Sequence, residues 1–488
     1  MGLRQSMAGL HTWAGLLAGW LLYAIFITGG ISYFRDELTQ WLRPEIPARP
    51  AMLDQTQAAQ RALATLAQQA AGAEQWQIDL PGTRSNVIDV AWEQGDDYQR
   101  ALLDPASGAL LRPRATQGGE FFYYLHFSLH YLPGTLGRWI VGLCAVMALA
   151  VMVSGVIVHR RIFSDFFTFR PGKGQRSWLD AHNAGSVLGL PFHLMIVYTG
   201  LVTLMFTYMP WGAAGVFGQQ QARSELAKVM QVRFDTPARS GKDTPLADLA
   251  PLMAQATAQW GKDSVGRIIV THPGDASARL AIARSDTRRL SVSPSYLLFD
   301  GVNGTLLARQ DSASAALSTW GTAYALHLGR YADPVLRCLY FISSMLGAAM
   351  VATGMLLWTA KRETDGRRFV ERANVMCIAG LASAVAAFLL ANRLLPLDMP
   401  DRAQWEIHCF FLCWGICALH AACRPASRSW REQWHTAALL WIALALVDVI
   451  SAPRAFPIFD AAFLCLACGF IKCGGFPTLS YRSHRRYR

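Results

Sequence analysis

The sequence predicts an α-helical integral membrane protein with two small α+β domains set between its spans. Three observations predict it. Of 488 residues, 52% are hydrophobic and only 16% are charged, a balance too apolar for a soluble enzyme. The apolar residues gather in blocks close to the ~20 residues that cross a hydrocarbon core of roughly 30 Å. Nine of the twelve histidines (His11, His126, His130, His159, His182, His193, His327, His408 and His420) lie inside or at the ends of those blocks, where a polar side chain is costly and usually functional.

Eight spans are expected, near Trp13 to Tyr33, Trp139 to Val158, Ala184 to Met209, Val335 to Trp358, Val375 to Leu394, Ile407 to Cys423, Thr436 to Ser451 and Ile458 to Ile471. The last four are shorter. Basic residues collect at Arg4, at His159-Arg160-Arg161, from Arg170 to Arg176, and at Lys361, Arg362, Arg367, Arg368 and Arg372. They collect again at Arg424, Arg428 and Arg431 and from Arg482 to Arg488. All fall on one side of the bilayer if both termini are cytoplasmic. The net charge of +12 is therefore a topology signal, and nucleic acid is not an expected partner. No small-residue cleavage site follows the first span, so it is expected to be a retained helix.

Two polar insertions, about residues 44 to 120 and 212 to 320, then face the outside. Neither contains a cysteine, so no disulfide is expected to hold them. Cys409, Cys413 and Cys417 repeat on one helical face, and Cys465 and Cys468 form a CxxC in an apolar span. These read as small buried thiols, because a zinc site needs four ligands.

The first 360 or so residues contain a repeat. When the third span is slid onto the first, His182 falls on His11, Leu188 on Leu17, Ile196 on Ile25, and Thr199-Gly200 on Thr28-Gly29. The second and fourth spans also correspond, Ser154-Gly155 matching Thr353-Gly354, and each follows a histidine and an arginine: His130 and Arg138, His327 and Arg337. The insertions match as well. Each has a helix pattern, Gln55 to Ala71 or Pro245 to Trp260. Three short strand candidates follow in each, Gln75 to Leu80, Asn86 to Trp92 and Tyr98 to Leu103 in the first, and Arg267 to Thr271, Ala278 to Arg284 and Tyr296 to Phe299 in the second. Each ends in an Asp-x-x-x-Gly turn, Asp104 to Gly108 or Asp300 to Gly304.

Leu10-His-Thr-Trp-Ala-Gly15, Phe34-Arg-Asp-Glu37, Leu125-His-Phe-Ser-Leu-His-Tyr-Leu-Pro133, Trp178-Leu-Asp-Ala-His-Asn183 and Leu190-Pro-Phe-His193 together resemble the PepSY-associated transmembrane family over about residues 1 to 362. The resemblance implies a bacterial inner-membrane protein linked to iron uptake, with PepSY domains in the periplasm. In ferric-siderophore reductase members it implies b-type haems in the helix bundle. The chain then divides into a first span (1–43), a first PepSY-like domain (44–120), spans two and three with a basic loop (121–211), a second PepSY-like domain (212–320), a fourth span (321–362) and a C-terminal membrane region of about four spans (363–488).

A four-helix core holding haem needs imidazoles from two helices at one depth. Topology sorts the candidates. His11, His159 and His182 lie at the cytoplasmic edge, and His126, His130 and His327 at the periplasmic edge. His193 lies eleven residues, about 16 Å or three turns, beyond His182, a spacing that suits two stacked cofactors. The repeat favours His11 with His182 and His130 with His327 as axial ligands, while His159, His193 and His126 remain possible exchanges. Arg138, Arg330 and Arg337 are placed to neutralise haem propionates or to anchor at the headgroups. His408 and His420 lack a facing pair. No dinucleotide fingerprint, P-loop, HExxH or CxxCH is present, so any haem is non-covalent; the b-type is what the resemblance implies, and the two stacked positions make two haems the expectation. The electron donor would be a quinol or a separate cytoplasmic reductase. The resemblance supplies the substrate class, so the expected reaction is reduction of a periplasmic ferric siderophore or other ferric chelate. A haem-free metal or solute transporter, and a signalling or protease-regulating membrane protein, are the alternatives.

Overall fold

Among the described residues, eight helices of 19 to 30 residues are long and apolar enough to cross a membrane, so the chain is a multi-pass membrane protein. The computed structural model describes residues 2–46, 54–95, 97–159, 170, 173–287, 289–311, 313–360, 366–451 and 457–475. Arg160, Arg161, Lys361, Arg362 and the basic stretch from Arg482 to Arg488 lie outside the described residues.

In chain order the helices used below are α1 (Leu3–Ser32), α2 (Arg35–Trp41), α3 (Gln55–Gln69), α4 (Glu120–Ser128), α5 (Gly134–Val158), α6 (Gln175–Thr203), α7 (Leu249–Trp260), α8 (Ala315–Leu328) and α9 (Pro334–Ala360), followed by α10 (Arg367–Leu394), α11 (Arg402–Cys423), α12 (Ala426–Ser451) and α13 (Pro457–Gly475). Most spans outrun the apolar windows expected for them. The polar first turns of α1, around Arg4, Gln5 and Ser6, continue the helix without a breaker, which puts His11 on a helix and not in a loop.

Residues form two compact units. The first, 1–44, 114–208 and 334–488, contains all eight spans. Within it α1 packs against α5 and α9, and α6 packs against the same two, so α1 and α6 face each other across the middle of a four-helix core. Small residues permit this closeness: a Cβ on Gly19 would lie 3.0 Å from the Met355 sulfur, and one on Gly30 2.6 Å from the Met345 methyl. Such contacts are how helices associate where lipid removes the usual hydrophobic drive.

The C-terminal spans join this core through α10. A π turn at Met376–Gly380 interrupts it, which releases backbone carbonyls from the regular ladder. Trp414 Nε1 donates to Met376 O at 3.0 Å and Tyr23 Oη to Ile378 O at 3.4 Å. Trp20 Nε1 donates to Asn374 Oδ1 at 2.8 Å, closing the seam between α1 and α10.

Near the other end, a buried ionic network joins α10, α11 and α12 to the segments on either side of the first insertion. Arg402 and Glu406 pair at 2.6 Å with both side chains fully buried. Glu406 also accepts from Asn392 Nδ2 at 2.8 Å and Thr116 Oγ1 at 2.6 Å. Arg393 pairs with Asp448 at 2.7 Å, donates to Trp41 O at 2.7 Å and lies 3.9 Å above the Trp41 ring. Each buried charge thus meets its opposite and several hydrogen bonds, the condition for tolerating it away from water.

The second unit, 45–113 and 209–333, contains the two insertions. The strands are β1 (Gln75–Asp79), β2 (Ile88–Gln94), β3 (Asp97–Leu103), β4 (Leu110–Leu111), β5 (Val265–Thr271), β6 (Arg279–Arg284), β7 (Tyr296–Asp300) and β8 (Leu306–Gln310). Each insertion supplies the expected helix and three strands plus a fourth strand after the turn. The two sets are not separate domains, because β1 and β5 pair antiparallel and make one sheet, ordered β4-β3-β2-β1-β5-β6-β7-β8. Pairing them removes two exposed strand edges. The sheet reads the same from its centre outward, as a duplication requires. Ile78, Val90, Ile268 and Ile282 bury one face against Ala58, Ala62 and Leu66 of α3 and Leu252, Met253 and Ala256 of α7. The turns repeat in detail. Gly108 N donates to Asp104 O at 2.7 Å and Gly304 N to Asp300 O at 3.0 Å, and both glycines have φ 74, a conformation glycine adopts without the penalty of a Cβ.

Candidate functional site

His11 on α1 and His182 on α6 project into the core and meet there, their ring centres 6.4 Å apart and their planes at 83°. Their surroundings repeat. His11 Nδ1 lies 2.9 Å from Val151 O of α5, and His182 Nδ1 lies 2.9 Å from Met350 O of α9. A carbonyl oxygen only accepts, so Nδ1 carries the proton in both rings and the lone pair is left on Nε2. Ser154 Oγ stands 3.4 Å from His11 Nδ1, and Thr353 Oγ1 3.2 Å from His182 Nδ1. Opposite the rings, Gly155 and Gly354 complete the match, for a Cβ on either would lie 3.1 or 3.2 Å from the facing imidazole Cε1.

The two rings share a cavity of about 310 Å³, which His159 and His193 also line. His159 caps the C-terminal end of α5. His193 is buried, but it uses Nε2 on Ser343 O at 3.0 Å and packs at 5.5 Å on the Phe26 ring. Its ring folds back on Gly189 of its own helix, where a Cβ would lie 2.2 Å away. His193 therefore ties α6 to α9.

The outer candidates sit on different elements. His126 sits on α4, its Nδ1 2.9 Å from Ile25 O, and its ring fills the notch at Gly29, where a Cβ would lie 2.7 Å from it. His130 lies in the turn after α4 and stacks on Phe411 of α11, ring centres 5.6 Å apart at 17°. His327 is on α8 in the second unit, so the expected His130–His327 pair is divided between the two units. The sequence held a better register. His126 and His327 each follow a leucine and stand seven residues before a proline, Pro133 or Pro334, at the start of the next span.

The arginines also divide. Arg330 pairs with Asp286 at 2.7 Å in the second unit. Burial pushes the Asp286 carboxyl up, but Arg330 and Arg289 outweigh it and hold the group below its ordinary range. Arg337 is buried and ion-paired with Glu37, which gives the Phe34-Arg-Asp-Glu37 motif a structural role. Arg138 lies 5.5 Å over the Phe127 ring. The Nε atoms of Arg138 and Arg337, repeat-related, are both buried without a hydrogen-bond partner among the described residues. No group of three or more His, Cys, Asp or Glu side chains suited to a metal ion occurs among the described residues.

Residues 8–361 match the PepSY-associated TM region. The chain belongs to that family. An uncharacterized protein of Pseudomonas aeruginosa is 28% identical over 322 residues, covering 62% of this chain and 79% of its own length. The PepSY-associated region takes in α1 to α9, both insertions and every histidine lining the cavity. It stops short of α10 to α13, so His408 and His420 fall outside it. His420 is engaged with Glu432 at 2.8 Å and Ser429 Oγ at 3.2 Å.

Proposed function

We propose that this protein is a di-haem b electron-transfer protein of the bacterial inner membrane that reduces a ferric siderophore or another ferric chelate in the periplasm. The His11–His182 pair carries the reading. An imidazole ring centre stands roughly 3 Å from a metal that its Nε2 ligates, given a metal–nitrogen bond of about 2 Å. Two ligands on opposite sides of one iron therefore place their ring centres roughly 6 Å apart, against the 6.4 Å found here. Both Nδ1 atoms are held by carbonyls, the arrangement that orients a ligating histidine and raises its basicity. The cavity volume falls in the range of roughly 300–1,000 Å³ typical of small-molecule sites.

Bound haem would supply a one-electron couple, and the chain sets its depth and surroundings. Val151 and Met350 fix the tautomer, Gly155 and Gly354 leave room for the rings, and Leu16, Val151, Leu190 and Met350 give the cavity apolar walls. For the second haem, His126 is the better ligand in the membrane unit, because Ile25 O fixes its ring as Val151 O fixes His11. The unpartnered Nε atoms of Arg138 and Arg337 suit propionate carboxylates. The PepSY-like unit would face the periplasm, with both termini cytoplasmic, and a quinol or a separate cytoplasmic reductase would be the donor.

The test is an absorption spectrum of purified full-length protein before and after dithionite. A Soret band with reduced α and β bands of low-spin haem b, diminished in His182→Ala, is expected. Protein free of haem despite ample haem supply would sink the proposal and leave a transporter or a PepSY-based regulator.

A further inference from the structure

His130 and Tyr131, in the turn between α4 and α5, meet His408 on α11 at the rim of the membrane unit. Tyr131 Oη is hydrogen-bonded to His408 Nδ1, and the two rings are parallel within 6°. The His130 ring lies 4.3 Å from the Tyr131 ring, and the Gln404 amide lies 3.5 Å from His130 Nε2. Phe411 backs both His130 and Tyr131, and Trp405 packs at 5.2 Å on His408. Tyr131 is 57% exposed, so the cluster is open at one side.

An aromatic belt at the headgroups would account for exposed rings, but not for the backbone beneath them. Leu129 and Tyr131, flanking His130, both have positive φ, 58 and 62. Such a non-glycine conformation is unfavourable and concentrates at functional sites. Two donor atoms about 2 Å from a common metal stand roughly 3 Å apart. Tyr131 Oη and His408 Nδ1 already lie in hydrogen-bond contact and would part slightly to hold an ion, which would replace the shared proton and release it to water.

We infer that His130, Tyr131 and His408 form a site for a divalent d-block metal ion, distinct from the His11–His182 cavity. Two imidazoles and a phenol favour copper, zinc or ferrous iron over magnesium or calcium, and copper(II) heads the affinity order.

The probe is copper(II), added below one equivalent to the full-length protein as purified, with EPR and chelator competition as readouts. One tight site with superhyperfine coupling from two nitrogens is expected. His130→Phe and His408→Phe should each remove one nitrogen and weaken binding by about tenfold or more, Tyr131→Phe should weaken it less, and haem content should not change. His408→Gln serves the same purpose if a Phe variant aggregates. Unchanged affinity and nitrogen count in the His130→Phe, His408→Phe double variant would overturn the inference. So would loss of haem in His130→Phe, which would place that residue in a haem site instead.

Discussion

Replacing Glu406 by glutamine tests the account of what fastens the C-terminal spans. The carboxylate is fully buried and accepts from Arg402 Nη1 at 2.6 Å, Asn392 Nδ2 at 2.8 Å and Thr116 Oγ1 at 2.6 Å. Glutamine keeps the shape and one acceptor oxygen but removes the charge, leaving Arg402 buried without its counter-ion. Breaking one side of such a pair costs about 3–5 kcal/mol. Arg402 also donates to Ala115 O at 2.8 Å and Asn392 O at 2.5 Å, and these carbonyls partly solvate the cation, so the lower end, about 3 kcal/mol, is expected. Against a typical stability of about 5–15 kcal/mol that loss is large. Replacing both partners, as in R402M with E406L, removes the unpaired charge and should restore most of it. Unfolding of the detergent-solubilised protein by increasing sodium dodecyl sulfate, followed by tryptophan fluorescence, measures the difference. A loss below about 1 kcal/mol for E406Q, or a double variant as unstable as the two singles combined, would refute the reasoning.

Gly155→Val and Gly354→Val should each push the facing imidazole off its carbonyl and lower haem retention, to similar degrees because the sites are repeat-related; a haem count per chain after dialysis checks this. His193→Leu should reduce thermal stability by about 1–3 kcal/mol, since Ser343 O loses its buried donor, yet leave the reduced spectrum unshifted. Arg337→Met should destabilise the membrane unit by removing the buried cation paired with Glu37, and Arg337→Met with Glu37→Leu should recover much of the loss, both read from thermal melts. Asp286 has a folded pKa below its unfolded value, so its pairing with Arg330 stabilises above about pH 4 and fades as pH falls through the folded value. Melts between pH 3 and 7 should show this acid loss in the wild type and less of it in Asp286→Asn.

Much of the membrane core was legible because the repeat placed His11 on His182 and Ser154-Gly155 on Thr353-Gly354, and the structure gives each pair the same surroundings. The carbonyls that hold Nδ1, Val151 O and Met350 O, were not legible, since a backbone oxygen leaves no mark on residue identity. His130 was paired with His327 on the repeat and on depth. The positive φ of Leu129 and Tyr131 turns it instead onto Phe411 of α11, and such a turn has no glycine or asparagine to signal it. In the insertions, helices and strands followed from periodicity. That β1 and β5 would join into one sheet depended on an edge-to-edge pairing between segments nearly two hundred residues apart. The Arg402–Glu406 spacing was visible as an i,i+4 pair, whereas Arg393 with Asp448 and Trp41 joins three distant segments and is seen only in the fold.

The central claim is that His11 and His182 are two ligands of one iron. Haem per polypeptide, counted in the wild type, His11→Ala, His182→Ala and the double variant, tests it most directly. The account predicts that each single substitution removes or destabilises the same haem, that the double variant loses no more, and that the remaining haem keeps its spectrum. Two haems retained with unaltered spectra in His11→Ala or His182→Ala would contradict it.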